Sequence, residues 1–441
     1  MRGFLDDIKA RGEMRVVARE VDPTFELAAV TAASQAESDD VILFEKVKGT
    51  DYPVVTNLYG GRKRLNRLIG AEPGASFCRR WHELFNTSAI PSAADATRRV
   101  DDPPAFDRVA LGSLPLIHAL EKDGGAYFTS GVFLAKEPDT GVANLSFHRA
   151  MFVSDDELRI RLGSSHDLTR YQRKAEERGE ALEIAMLIGP PPEVFLGACA
   201  SLPHDADEMI AASVVAGGTI PTRPCLTIGL DVPAETEIVV EGRILPNERR
   251  PEGPFGEFMG YYVPREPQHV FEITAVTVRK DAVFHNILCG SAEDIEALDC
   301  AIATKLFRHL DAVLPGIVDV SCKPQLMNTV VKIKQMYEGH AKHGMLAAFG
   351  AHLDYSKTCM VVDEDIDIHD LNDVFWAFVT RGRADTRSLV IDDVPGFYRD
   401  PKKDHWGRLG IDATLPIGRE AEFERKRVPG VADIRLADYL A

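Results

Sequence analysis

The sequence predicts an α+β fold of two or three domains, on three observations. Its 441 residues exceed what one hydrophobic core usually serves, at roughly 100 to 200 residues per domain. From about Leu114 onward, short apolar runs rich in Val, Ile and Phe are punctuated by Gly, Pro and Asp, a texture of many strands that suggests a barrel or sandwich. After Ser291, helical and strand-like patterns alternate, which implies a separate α/β domain with some parallel pairing.

The elements follow in order. Phe4, Leu5 and Ile8 recur at helical spacing, MRVVAREV reads as a strand, FELAAVTAASQA as a helix, DDVILFEKV and YPVVTNL as strands, and RKRLNRLIG as a helix. Residues 1–105 therefore read as a mixed α/β region. The stretch from Ala93 to Pro104, with charges and paired prolines, reads as a linker. Residues 106–290 hold the strand candidates GAYFTSGVFLAKE, VANLSFHRAMFV, LRIRL, LEIAMLIG, LTIGL, EIVVEGRIL and HVFEITAVTVRKDAVFHNIL. Two helices interrupt them, DLTRYQRKAEERGEA with a cap at Ser165 or Asp167, and DADEMIAASVVAG. Residues 291–441 open on a long amphipathic helix and then alternate: strand NTVVKIKQ, helix AKHGMLAAFGAHL, strand TCMVVDED, helix DLNDVFWAFVTR, strand RSLVIDD.

Composition narrows the function. With 45% hydrophobic and 27% charged residues the chain is an ordinary globular protein, and its formal net charge of −17 argues against a polyanionic partner such as nucleic acid. The basic run Arg62-Lys63-Arg64 reads as the solvated face of a helix and receives no function. Seven cysteines with no CxxC pair read as reduced thiols. The opening segment carries two aspartates where a signal peptide needs an apolar run, and no stretch reaches the ~20 apolar residues of a membrane span, so the cytoplasm is the expected compartment.

No GxGxxG, GxxxxGK[ST] or GxSxG occurs, which leaves carboxylates, histidines and metal ligands to carry chemistry. The loop PEGPFGE constrains Glu252 and Glu257 near one another; if both face one pocket, repulsion and burial make one of them a proton donor, and otherwise the loop is a solvated surface turn. In ANLSFHRAMFV, alternation places Asn144, Ser146 and His148 on one strand face and Arg149 on the other, either lining a cavity or forming a half-exposed edge. His166, ahead of a helix, and Glu208, within one, are not joined by spacing. With an Asn oxygen they would form a mixed N/O set suited to Mn²⁺ or Mg²⁺.

These pieces, together with the SSH step, LPHDADEMIAASVVAGG, PEGPFGEFMGYY, YEGHAKHGM, VVDEDIDIHDLNDVFWAFVTR and GRLGIDAT, stand in the order of the UbiD family of prenylated-FMN-dependent (de)carboxylases, which the chain resembles over nearly its whole length. The resemblance implies a central split β-barrel of the flavin reductase-like kind for the flavin and a C-terminal α/β oligomerisation domain. It implies Asn144, His166 and Glu208 as ligands of Mn²⁺ (or Mg²⁺) at the flavin phosphate, accompanied by K⁺. Ser146, Phe147, His148, Arg149 and Ser165 would line the flavin, and Arg408 would approach it where many relatives have lysine. Arg149, Glu252 and Glu257 match the family's catalytic Glu-Arg-Glu network, with Glu257 as proton donor.

The resemblance also implies a reversible, non-oxidative decarboxylation of an aromatic, heteroaromatic or α,β-unsaturated acid, a flavin prenyltransferase as cofactor supplier, and a homodimer or an assembly of dimers. His148 stands where some relatives have tyrosine or a small residue. The end at Ala441 is expected to shorten a C-terminal helix swapped between subunits. Three rivals are weighed: the same catalyst run physiologically as a carboxylase or carboxylase subunit, a flavin-binding protein without decarboxylase activity, and a metal-dependent hydrolase. The retained Glu-Arg-Glu residues oppose the second, and the absence of HExxH opposes the third.

Overall fold

A computed structural model of the chain describes all residues except 87–89, 164–165, 204–205, 352–354, 397–404, 427, 432–433, 436–437 and 440–441. It is a mixed α+β fold built on three main sheets. The first has four strands, in the order Met14–Val17, Val41–Phe44, Val54–Thr56 and Phe284–His285. Its last member comes from far along the chain and pairs in parallel with Val54–Thr56.

The central sheet is antiparallel and has nine strands. Its path runs Tyr127–Phe128, Ala150–Ser154, Glu157–Ile160, Glu266–Arg279, Ile238–Glu252, Leu182–Ile188, Val132–Lys136 and Ala143–Phe147, with Phe106–Arg108 added on Glu266–Arg279. Its apolar runs are continuous because both faces are buried. Along Val132–Lys136, Val132 and Leu134 enter one core while Phe133 and Ala135 enter the other, and Ala185 and Met186 divide in the same way. The two ends of the path do not pair, so the expected barrel is not closed among the described residues.

The third sheet has the order Ile317–Ser321, Asn328–Ile333, Thr358–Asp363, His405–Ala413, Ser388–Pro395. Its three middle strands are parallel, as the alternation of helix and strand requires, and its outer pairs are antiparallel. The helices Ala292–Val313 and His340–Ala351 pack with this sheet around one apolar core.

Several expectations are corrected. The LTIGL segment is not a strand: the N–H groups of Leu226 and Thr227 donate to the buried Glu241 carboxylate at 2.8–2.9 Å, which takes the place of a ladder. Within the expected linker, Thr97–Arg99 pairs in parallel with Ile220–Pro224. The helices Phe77–Asn86 and Pro192–Ala198 lie outside the sequence expectations. The Arg62-Lys63-Arg64 run is not a solvated face. Arg64 is fully buried and donates to the carbonyl of Asn57 at 3.1 Å, and Arg62 pairs with the buried carboxylates of Glu296 at 2.5 Å and of Asp299. Lys63 alone of the three is exposed. A guanidinium's planar fork suits it to such buried pairing, which a charge count along the sequence cannot reveal.

The Ala292–Val313 helix ties the sheets together through acids on its buried face. The Glu293 carboxylate accepts from the N–H groups of Asn57 (2.7 Å) and Tyr59 (3.0 Å) and lies 2.9 Å from His285 Nε2. Each partner comes from the first sheet or the turn beyond it, so this acid sets where the helix begins. No helix among the described residues is long and apolar enough to cross a membrane.

Candidate active site

The site begins at the edge strand Ala143–Phe147, where Asn144 lies opposite Ala135 and Ser146 opposite Phe133. The expected continuous strand through ANLSFHRAMFV is interrupted. The chain leaves the ladder at His148 and Arg149 and re-enters at Ala150, which pairs with Phe128 and Ile160. The interruption lets two neighbouring residues serve different surroundings. His148 is buried; its Nδ1 lies 3.1 Å from the Arg161 carbonyl and its Nε2 2.9 Å from the Ser146 hydroxyl, which donates to Asn144 Oδ1 at 3.0 Å. Burial lowers the pKa of His148 well below its ordinary value, so the ring is neutral.

Arg149 reaches the PEGPFGE bend. Its Nε and Nη2 donate to the two oxygens of Glu252 at 2.9 Å each, and its Nη1 donates to Glu257 Oε1 at 2.6 Å. The side chains are 9%, 1% and 10% exposed, so this cluster is sequestered from bulk water and its attraction is little screened. The guanidinium also lies 4.5 Å from the Phe255 ring centroid. The Tyr127 hydroxyl donates to Glu252 Oε1 at 2.8 Å.

The bend is shaped by backbone chemistry. Gly253 has φ +93°, a region that side chains avoid, and this lets the strand Ile238–Glu252 turn into the short hairpin Phe255–Gly256 with Tyr262–Val263. The N–H of Gly256 donates to Asp123 at 2.8 Å and that of Glu257 to the Tyr261 carbonyl at 2.9 Å. Both glutamates are thereby fixed by main chain on either side of Arg149, and Arg161 Nη1 lies a further 3.7 Å from Glu257 Oε1.

A second cluster sits along the same strand. Glu208, at the start of the helix Glu208–Ala216, accepts from Asn144 Nδ2 and from the Leu145 N–H at 3.2 Å each. Burial pushes its carboxyl up to about 8 against those hydrogen bonds. His166 stands at the N-cap position of the helix Asp167–Glu177 without a side-chain capping bond, its ring 5.0 Å from that of His148, and burial lowers its pKa. Asn144, His166 and Glu208 line one cavity of ≈ 340 Å³ together with Ser146, Phe147 and Asp294. Two of these three candidate ligands are His or Glu, and among the described residues no group of three or more His, Cys, Asp or Glu is placed to hold a metal ion.

Comparison with known proteins is decisive. Three models of the 3-octaprenyl-4-hydroxybenzoate carboxy-lyase match in series: the N-terminal domain over residues 5–82, the Rift-related domain over 96–292 and the C-terminal domain over 298–413. The chain belongs to the UbiD family of carboxy-lyases. It is 33% identical over 436 residues to a Methanothermobacter thermautotrophicus protein named anhydromevalonate phosphate decarboxylase, covering 96% of this chain and 99% of that one. Among solved structures, the UbiD-class enzyme HmfF from Pelotomaculum thermopropionicum in complex with FMN is similar at TM-score 0.91 and 34% identity, covering 100% and 99% of the two chains. The vanillic acid decarboxylase of Sedimentibacter hydroxybenzoicus in open form is similar at TM-score 0.85 and 26% identity, over 98% and 96%.

The UbiD-family fold thus brings Arg149 to Glu252 and Glu257, and Asn144 to Glu208, with His166 on the same cavity. Other expected residues stand elsewhere. His148 is not among the cavity-lining residues, since its ring is turned inward by the Arg161 carbonyl and Ser146. Arg408 does not line the cavity either; it is buried in the C-terminal sheet, donates to the carbonyls of Tyr355 and Ser356, and lies 6.0 Å from the Trp406 ring. Ser165 lies outside the described residues. Tyr127 and Asp294 were not singled out in the sequence, where one is an aromatic among strand residues and the other one acid among several on a helix.

Proposed function

We propose that this UbiD-family chain is a non-oxidative, reversible decarboxylase of an aromatic, heteroaromatic or α,β-unsaturated carboxylic acid, using prenylated FMN, with Glu257 as proton donor. The observation that carries the reading is the buried arrangement in which one guanidinium joins Glu252 and Glu257. Glu252, held by Tyr127, orients Arg149. Arg149 can then exchange its contact with Glu257 for the substrate carboxylate, to which a guanidinium offers a matching pair of donors. Glu257, released from the cation, takes up a proton from its surroundings and delivers it to the carbon that has lost CO2.

The donor set fits a cation-bridged flavin. A carboxyl pushed up to about 8 by burial, as Glu208 is, gains most from a divalent ion that would keep it ionised. The cavity volume, ≈ 340 Å³, lies within the ~300–1,000 Å³ common for small-molecule sites. Asn144, His166 and Glu208 would hold Mn²⁺ or Mg²⁺ at the phosphate, with K⁺ alongside. When bound, the prenylated flavin supplies an electron sink for the carbon losing CO2. In this reading the central sheet is the split barrel, residues 1–105, 106–290 and 291–441 are the three domains, and the chain self-associates through its C-terminal domain. There Leu371, Phe375 and Val379 form an exposed apolar stripe at helical spacing.

Co-expression with a flavin prenyltransferase, followed by absorbance and mass of the bound cofactor and a panel of acids assayed for CO2 release, tests the reading. Glu257→Gln is expected to keep the flavin and lose turnover; normal turnover in that variant sinks the proton-donor role. The same panel run with product and bicarbonate measures the reverse, carboxylating direction.

A further inference from the structure

We propose that Asp294 is the proton reservoir of the site, passing a proton to Glu257 after each turnover and refilling from the cavity. The inference rests on the decarboxylase reading above. It starts from a disparity of place: Asp294 lines the ≈ 340 Å³ cavity, whereas Glu257 is not among the lining residues and is held by Arg149. Glu257 consumes a proton in every cycle and its side chain is only 10% exposed, so an acid standing between it and the cavity shortens its route to solvent.

Asp294 stands beside the bend that carries Glu257 and senses its charge. It lies in the first turn of the Ala292–Val313 helix, whose start is pinned by Glu293. One carboxylate oxygen accepts from the Gly290 N–H at 2.7 Å, and the carboxyl also hydrogen-bonds the Cys289 thiol. Gly290 itself, at φ +75°, is pressed so closely on the residue after Glu257 that a Cβ there would sit 3.3 Å from the Phe258 Cα. Cys289 lines a small void with Tyr127 and Phe255, so this turn runs along the back of the Glu252–Arg149–Glu257 cluster. Asp294 thus touches the cavity on one side and the Glu257 bend, through Cys289 and Gly290, on the other.

Its electrostatics suit the task. Burial, with the charges of Glu257 and Glu293 adding to it, raises the carboxyl to about 6 against the Gly290 and Cys289 hydrogen bonds. Such a group releases and recovers a proton near neutrality, where an ordinary aspartate would stay ionised. The titratable groups around it are Cys289 and Glu257 from the adjoining turn and bend, Glu293 on its own helix, and His166, Asp167, Cys199, Glu208 and Lys305 lining the cavity.

The proton count closes. Glu257 gives its proton to the carbon that lost CO2 and becomes a carboxylate. Protonated Asp294 transfers its proton to that carboxylate and becomes ionised, and water in the cavity restores it. The net reaction consumes one proton and yields CO2 and the product.

The test uses the full chain. In cofactor-free protein, infrared spectroscopy should show a protonated carboxyl titrating near pH 6 that is missing in Asp294→Asn and shifts to lower pH in Glu257→Gln, where the neighbouring negative charge is removed. In flavin-loaded enzyme, Asp294→Asn should lower kcat about tenfold or more with KM little changed and remove one limb of the pH profile, and Asp294→Glu should recover part of the rate. Thermal unfolding checks that each variant is folded. If Asp294→Asn turns over within about twofold of the parent with an unaltered pH profile, the relay is wrong. That failure is separable from failure of the decarboxylase reading, which instead requires Glu257→Gln to remain active.

Discussion

Arg149→Met is the most informative perturbation of the buried cluster. Methionine keeps much of the apolar stem and removes the charge. Three hydrogen bonds of 2.6–2.9 Å disappear, and with them the guanidinium that joins Glu252 to Glu257, while Arg161 Nη1 stays 3.7 Å from Glu257 Oε1. Glu252 is 1% exposed and retains the Tyr127 hydroxyl at 2.8 Å, so water cannot readily replace the guanidinium. Removing one partner of a buried pair typically costs about 3–5 kcal/mol, most of it the penalty of leaving the other charge uncompensated. Reversible urea unfolding of cofactor-free protein should therefore show a loss of that order for Arg149→Met. The decisive control is the triple variant with Glu252→Gln and Glu257→Gln added, which removes the stranded charges and should regain at least half of the loss. Equal stability of parent and Arg149→Met, or a triple variant no more stable than the single one, would refute the view that the cation compensates the buried Glu252 and the half-buried Glu257.

Three other outcomes follow from separate parts of the molecule. Burial pulls the Glu137 carboxyl up, but Lys174 and the N–H groups of Thr140 and Asp139 prevail and hold it at about 2, so Glu137→Gln should lose roughly 2–3 kcal/mol at pH 6. That contribution is complete above the unfolded value near 4.5 and fades as pH falls toward 2, so parent and variant should converge in acid unfolding. A Cβ at Gly242 would meet the Glu272 carbonyl oxygen at 1.9 Å, in the bulged pairing of Ile238–Glu252 with Glu266–Arg279. Gly242→Ala should therefore lower the melting temperature, at a cost of roughly 1–3 kcal/mol. Phe375→Glu places a charge in the middle of the exposed Leu371, Phe375 and Val379 stripe, and light scattering should show a shift toward monomer with the fold retained.

The sequence by itself determined the periodicities, and with them the kinds of element. Short continuous apolar runs of Val, Ile and Leu marked the strands of the central sheet, and helix and strand in alternation after Ser291 required parallel pairing, which Asn328–Ile333, Thr358–Asp363 and His405–Ala413 display. The residue types of the site were legible too, because a tight loop with two glutamates and a strand carrying Asn, Ser, His and Arg are chemically unusual. Their motif order identified the UbiD family.

Only the tertiary structure decided which of these residues meet. A break in the ladder sends His148 inward to Ser146 and Arg149 toward Glu252 and Glu257, an outcome that strand alternation alone left open. Burial of Arg62 and Arg64, the seating of Phe284–His285 on the first sheet, the Glu241 carboxylate that replaces strand pairing at Leu226, and the place of Asp294 between cavity and bend all depend on partners far away in the chain. Local spacing encodes which face of an element is apolar. It does not encode what that face will touch, because that is fixed by packing between segments separated by tens to hundreds of residues.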